Sequence, residues 1–163
     1  PVFIFITNSS SYIALGIIAL VFILAIAQKS ALLKRKAGQL LASFLLAFII
    51  IKVLKYSIGR VRPFESHNFI EQLVEIGTPS FPSGHTLEAA AMATAVVLLF
   101  KNKFLVIAAV LWALAVALSR VVLGVHYPSD VLAGIFLGVL TGYFCHWLFQ
   151  RKYRYERMEN GKG

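Results

Sequence analysis

Hydrophobic residues in this chain come in long blocks, not in the short alternations of strands or the sparse stripes of surface helices. Five runs stand out: Tyr12–Gln28, Ala37–Leu54, Ser83–Phe100, Phe104–Val122 and Pro128–Phe149. Each approaches the roughly 17–25 residues that a helix needs to cross the hydrocarbon core. Strands with open edges would leave N–H and C=O groups unpaired in lipid. The pattern predicts an all-α integral membrane bundle of about five transmembrane helices, forming a single domain over residues 1–163. An apolar lead, Val2–Ile6, and a polar knot, Thr7–Ser11, precede the first run, and the lead lacks the basic n-region of a cleavable leader. In the long connection Pro63–Pro82, residues Phe69, Ile70, Leu73, Val74 and Ile76 fall largely on one helical face. They suit a short interfacial helix walling a lipid entrance, or equally a loop packed on the bundle.

Composition agrees. Of 163 residues, 59% are hydrophobic and only 14% charged, against about 25% charged in ordinary soluble domains. The single cysteine, Cys145, excludes an intramolecular disulfide. The net charge of +9 is not a nucleic-acid footprint, because no basic stripe interleaved with aromatics lies on a soluble face. It is topological. Lys29, Lys34, Arg35, Lys36, Lys101, Lys103, Arg151, Lys152, Arg154, Arg157 and Lys162 all fall on one side of a five-span drawing, which the positive-inside rule makes cytoplasmic. The N-terminus is then extracytoplasmic. Five cations contradict that bias by lying at the opposite ends of spans two and four: Lys52, Lys55, Arg60, Arg62 and Arg120. Charge that opposes topology points to a site.

Three polar clusters interrupt the apolar runs on that outer side. In the first, Lys55 and Arg62 are seven residues apart, about 700° of helical turn, so both could share one face; Gly59 loosens the helix between them and Pro63 ends it. Two stacked cations suit a multi-oxygen anion, Arg as a fork and Lys as a point charge, although snorkelling at a helix end also accounts for them. In the second, Ser83 is an N-cap candidate and Gly84 permits close backbone approach. The free N–H groups there form an anion cradle, and His85 in the first turn is placed as a general acid. In the third, Arg120 ends a span, His126 lies in the turn, and Asp130 follows four residues later. A carboxylate there can fix the imidazole tautomer and leave the other nitrogen as a nucleophile. A surface His beside a dipole-favoured Asp accounts for this piece taken alone.

Together, Lys55-x6-Arg62-Pro63, Pro82-Ser83-Gly84-His85 and Ser119-Arg120-x5-His126-x3-Asp130 resemble, in order and spacing, the three-part signature of the type 2 phosphatidic acid phosphatase superfamily. The resemblance spans Lys55–Asp130 and implies a helical membrane lipid phosphatase that needs no metal and no cofactor. It implies that His126 forms a phosphohistidine, oriented by Asp130, and that His85 protonates the leaving group and later helps activate water. Lys55, Arg62, Ser83, Gly84 and Arg120 would hold the phosphate oxygens. It implies a bacterial inner membrane with the site facing the periplasm, and a partner that is a phosphorylated lipid in the bilayer, not nucleic acid. Candidate substrates are lipid A 1-phosphate, phosphatidylglycerophosphate, undecaprenyl diphosphate and phosphatidic acid. Two rivals remain at this point: a vanadate-binding haloperoxidase relative, which five spans oppose, and a membrane anion transporter or channel, which has no need of a His–Asp pair. Many members carry six spans, so either a leading span is lacking here or Val2–Ile6 is an interfacial remnant of it. Glu88, one turn beyond His85, is expected to pair with Lys52 or Lys55, because an ionisable group at that depth is costly alone. Arg60 is a candidate for a second headgroup charge. His67, Cys145 and His146 are expected to serve loop or span packing.

Overall fold

The computed structural model describes residues 2–67, 69–70 and 76–160. Six helices follow in order: α1 (Val2–Ala27), α2 (Ala31–Ile58), the single turn α3 (Pro63–Ser66), α4 (Gly84–Leu99), α5 (Lys103–Val122) and α6 (Pro128–Asn160), with no strand among the described residues. Four of them, α1, α2, α5 and α6, are long and apolar enough to cross a membrane. The fifth, α4, has 16 residues and packs against all four. It is the axis of the bundle.

The packing is that of a protein solvated by lipid. Small residues lie inside, among them Ala14, Ala25, Ala37, Ala47, Ala91 and Ala95, while Leu20, Ile23, Phe48, Leu111, Phe136 and Phe144 face outward. Apolar exposure on that scale belongs against acyl chains, since a soluble monomer rarely shows large apolar patches. The closest approach is between α4 and α6. Gly134, Gly138 and Gly142 recur every fourth residue along α6, a small-residue seam of the kind that lets membrane helices touch backbone to backbone. A Cβ at Gly138 would stand 2.4 Å from the Leu87 carbonyl oxygen. The seam carries the start of α6 up against the start of α4, where the Ser83 N–H donates to the Asp130 carbonyl at 3.1 Å.

Helix limits differ from the hydropathy runs in ways that polar partners explain. α1 begins at Val2 and runs through the knot Thr7–Ser11, so Val2–Ile6 is its first turn and not an interfacial remnant. The hydroxyls do not break the helix because Thr7 and Ser11 bond across to other helices, and Ser9 bonds back to the Phe5 carbonyl at 2.7 Å. α2 begins at Ala31 instead of Ala37 because Ser30 caps it, its Oγ accepting from the Leu33 N–H at 3.3 Å. α6 continues past Phe149 to Asn160, since leaving the hydrocarbon does not oblige a helix to end. The expected interfacial helix at 69–76 falls mainly on Glu71–Glu75, which lie outside the described residues.

The two ends of the bundle differ in kind. At one, Arg35 donates to Gln150 at 3.1 Å and lies over the Tyr153 ring, and Lys36 lies over Phe100. At the other are gathered Thr7, Lys55, Arg62, Ser83, His85, Arg120, His126 and Asp130, from every helix of the bundle and its outer loops. Replacing Gly138 with Ala should push α6 away from α4, lowering stability by about 1–3 kcal/mol, the usual cost of overpacking. Thermal unfolding of the detergent-solubilised variant checks this; an unchanged midpoint would contradict the seam.

Candidate active site

The first cluster is organised by a break, not by a shared helical face. Gly59 takes a left-handed conformation (φ 62°), and its N–H closes α2 onto the Lys55 carbonyl at 3.0 Å. Lys55 therefore ends α2, while Arg62 lies beyond it as the N-cap of α3, with Pro63 opening that turn. The expectation that the two cations stack on one helix, stopped by Pro63, is corrected on this point. They nonetheless converge: Lys55 Nζ and Arg62 Nη2 both donate to the Pro79 carbonyl.

Arg62 is 2% exposed, and all five of its N–H donors have acceptors. Nε donates to the Thr78 carbonyl at 2.7 Å, Nη2 to Thr78 Oγ1 at 3.2 Å and to the Pro79 carbonyl at 3.4 Å. Nη1 donates to the Val125 carbonyl at 2.7 Å and faces His126 Nε2 at 3.4 Å. One side chain thus joins the segments before α4 and before α6. Neither Thr78 nor Pro79 is signalled by the sequence, since two of their three contacts with Arg62 go through backbone carbonyls and the third through an ordinary loop hydroxyl.

The second cluster has the expected form with a different cap. Ser83 occupies the N-cap position, yet its Oγ pairs with Thr86 Oγ1 at 2.8 Å and caps no backbone N–H. Donors of the first turn are left for a ligand oxygen, which suits an anion. His85 stands in that turn within the fields of Arg120, His126, Lys55 and Arg62.

The third cluster is the most specified. Asp130 is fully buried. Its Oδ1 receives Arg60 Nη1 at 2.5 Å, and its Oδ2 receives the Ser80 hydroxyl at 2.6 Å and the Tyr127 N–H at 3.1 Å. His126 Nδ1 lies 3.6 Å from the same Oδ2 and 3.4 Å from Ser80 Oγ. The serine's one proton is committed to the carboxylate, so both neighbours of Nδ1 are acceptors and Nδ1 carries the imidazole proton. Arg62 can only donate, so Nε2 on the far side is the lone pair. Burial, with the Arg120, Arg62 and Lys55 cations beyond it, outweighs the Asp130 contact and holds the His126 pKa down to about 4. The imidazole is therefore neutral at ordinary pH. The arrangement offers a neutral, oriented nitrogen beside three cations whose nearest carboxylate is already answered by Arg60, a pocket short of negative charge.

Two residues here were not legible. Arg60, expected to meet a second headgroup charge, instead holds Asp130, bonds Ser129 Oγ at 2.8 Å and lies over the Tyr127 ring. Ser80 closes the His126–Asp130 contact. Glu88 does not pair with Lys52 or Lys55. Ser11 of α1 donates to its Oε2 at 3.0 Å, and its buried Oε1 has no partner among the described residues. Lys52 lies outward over its own helix's Phe48 and Tyr56, and Lys55 turns to Pro79. His67 stacks on Phe69, Cys145 is buried, and His146 Nδ1 meets Gln39 Nε2 at 3.2 Å, a hydrogen bond between α6 and α2. Among the described residues no group of three or more His, Cys, Asp and Glu side chains converges as metal ligands would.

Residues 36–154 match the model of the PAP2 superfamily. A lipid A 4'-phosphatase of Bacteroides thetaiotaomicron is 38% identical over 98 residues, covering 56% of this chain and 42% of that protein. An undecaprenyl-diphosphatase of Sulfolobus acidocaldarius is 40% identical over 106 residues, covering 64% and 51% respectively. The chain thus spans about half the length of these curated relatives, or less. The fold matches the crystal structure of a transmembrane PAP2-type phosphatidylglycerolphosphate phosphatase from Bacillus subtilis with a TM-score of 0.77 and 30% identity, over 92% of this chain and 76% of that one.

The His126 environment is testable without any substrate. NMR of nitrogen-labelled histidine should show His126 neutral, with its proton on Nδ1, as pH falls through the ordinary histidine range, and titrating only near pH 4. Ser80→Ala should mix the tautomers. Titration of His126 at the unperturbed value of about 6.5 would contradict the assignment.

Proposed function

The chain belongs to the PAP2 superfamily, and from that premise we propose that it is a membrane phosphatase that removes a terminal phosphate from a lipid phosphate monoester or diphosphate. The observation that carries this reading is His126, buried and neutral, with Nδ1 between Ser80 and Asp130 and Nε2 beside Arg62. A transport path needs no such orientation of one imidazole.

In the resting site an Arg62 Nη1–H points at the Nε2 lone pair. An incoming phosphoryl oxygen takes over that donor, which frees Nε2 to face phosphorus. Nε2 attacks, the P–O bond to the lipid breaks, and the leaving oxygen takes a proton from His85. The imidazolium that forms is stabilised by the Asp130–Ser80 pair at Nδ1. In the second half, His85 accepts a proton from water as the water oxygen attacks phosphorus, the P–N bond breaks, and orthophosphate departs with His126 restored. Lys55, Arg62, Arg120 and the N–H groups after Ser83 hold the non-bridging oxygens as charge redistributes, so catalysis is positioning and electrostatics.

The substrate is membrane-embedded, and its shared chemistry is a terminal phosphate. Lipid A 1-phosphate, phosphatidylglycerophosphate, undecaprenyl diphosphate and phosphatidic acid all present one. The relatives act on different lipids, as their names state, and this supports the phosphate as the common element. The concentration of Lys and Arg at the far end of the bundle supports a site at the extracytoplasmic face, which in a bacterial inner membrane is the periplasmic one.

Phosphate release from detergent-solubilised lipid phosphates, with chelator present, tests the reading. Wild-type protein should hydrolyse at least one of the four lipids, His126→Ala should fall to background, and His85→Ala should lose about 10²–10⁴-fold in kcat. Because His126 must be neutral to attack while His85 must carry the proton it donates, kcat/KM should be bell-shaped, falling on the acid side as His126 is protonated near pH 4 and on the alkaline side as His85 loses its proton. Undiminished release by His126→Ala would defeat the mechanism.

A further inference from the structure

α1 lies outside the segment that matches the family, which begins at residue 36, yet it reaches the site. Thr7 and Ser11 are four residues apart and so share a helical face one turn apart. Both are tied to another helix: Thr7 Oγ1 accepts from Arg120 Nη1, and the Ser11 hydroxyl donates to Glu88 Oε2 at 3.0 Å. Two tethers a turn apart fix both the depth and the rotation of α1, so Thr7 Oγ1 is a fixed point. Thr7 and Arg120 are both buried.

The bond selects which edge of the arginine is free. A planar guanidinium can meet an oxyanion end-on through Nη1 and Nη2, or side-on through Nε and Nη2. Thr7 takes one of the two N–H donors of Nη1, which draws that end of the fork toward α1 and leaves Nε, on the side-on edge, uncommitted among the described residues. Nε is buried with no partner among the described residues, a costly condition unless a ligand completes it. Arg120 also acts on the other members of the site: its field is felt at Lys55, His85 and His126.

We infer that Thr7 is a positioning residue: by holding Nη1 it turns the Nε–Nη2 edge of Arg120 toward the phosphate, so that α1 contributes to phosphate recognition at one remove. The inference rests on the proposed phosphate site, but its test does not depend on turnover. Orthophosphate, the expected product, serves as the probe, through the rise in unfolding temperature that it causes in detergent-solubilised protein.

Orthophosphate should stabilise the wild type, and Thr7→Val, which keeps the shape and loses the acceptor, should raise the half-maximal concentration about tenfold, as expected when a bond to a charged group is lost. Thr7→Ser should restore near wild-type binding. In an Arg120→Lys background, Thr7→Val should have no further effect, because Lys has no edge to orient; coupling of that kind separates action through Arg120 from general packing. If Thr7→Val does not fold, Thr7→Ala carries the same comparison. Unchanged phosphate binding in Thr7→Val, an equal loss in the Arg120→Lys background, or no phosphate binding by the folded wild type would each overturn the inference. Failure of the wild type to hydrolyse any lipid while Thr7 still governs phosphate binding would instead defeat the proposed reaction alone.

Discussion

A carboxylate buried at the mouth of a membrane bundle is stable only if its lone pairs are answered, and the outer end of this protein is built around one such group. Asp130 draws on Arg60 from the segment after α2, on Ser80 from the segment before α4, and on the Tyr127 N–H from its own turn. Three stretches of chain far apart in sequence are thereby fixed to one point. His126 inherits its orientation from that point, since the two acceptors beside Nδ1 leave only Nε2 to present a lone pair.

The helices make that convergence possible through what they lack. α4 is lined with alanine and α6 with glycine at every fourth position, so the two axes approach until backbone meets side chain. Larger residues would separate Ser83 from Asp130 and, with them, the first turn of α4 from the turn bearing His126. Arg62 then joins the two segments from the third side. It spends its donors on carbonyls of Thr78, Pro79 and Val125, so a residue that reads as a phosphate ligand is equally a strut of the cavity.

Much of this was legible in the sequence. Long apolar runs require helices in lipid, and cations at the wrong end of those helices mark the site. The spacing of His126 and Asp130 places them in contact. Residues that act through backbone atoms or across loops were not legible. Thr78 and Pro79 offer carbonyls that no side-chain pattern announces. Ser80 looks like any serine before a helix, and Arg60 gives no sign that it closes on a residue seventy positions away. Glu88 was misassigned because lysines a turn or two from the right depth looked like its natural partners, whereas a hydroxyl on α1 was nearer. The polar knot Thr7–Ser11 read as an interruption of a helix because its partners lie on α4 and α5, and hydropathy carries no information about partners.

A covalent phosphorus–nitrogen bond at one residue is the feature that separates the proposed chemistry from direct attack by water or from anion passage. The protein, and a His85→Ala variant given an activated phosphate ester whose leaving group needs no proton, so that only the second step is slowed, can be quenched in alkali during turnover and digested. The modified peptide is then located by mass spectrometry under conditions that preserve phosphohistidine. Phosphate on His126, accumulating in His85→Ala and absent when Asp130 is replaced by Asn, is the predicted result. Turnover with no phosphorylated histidine in either protein, or with the label on a residue other than His126, would contradict it.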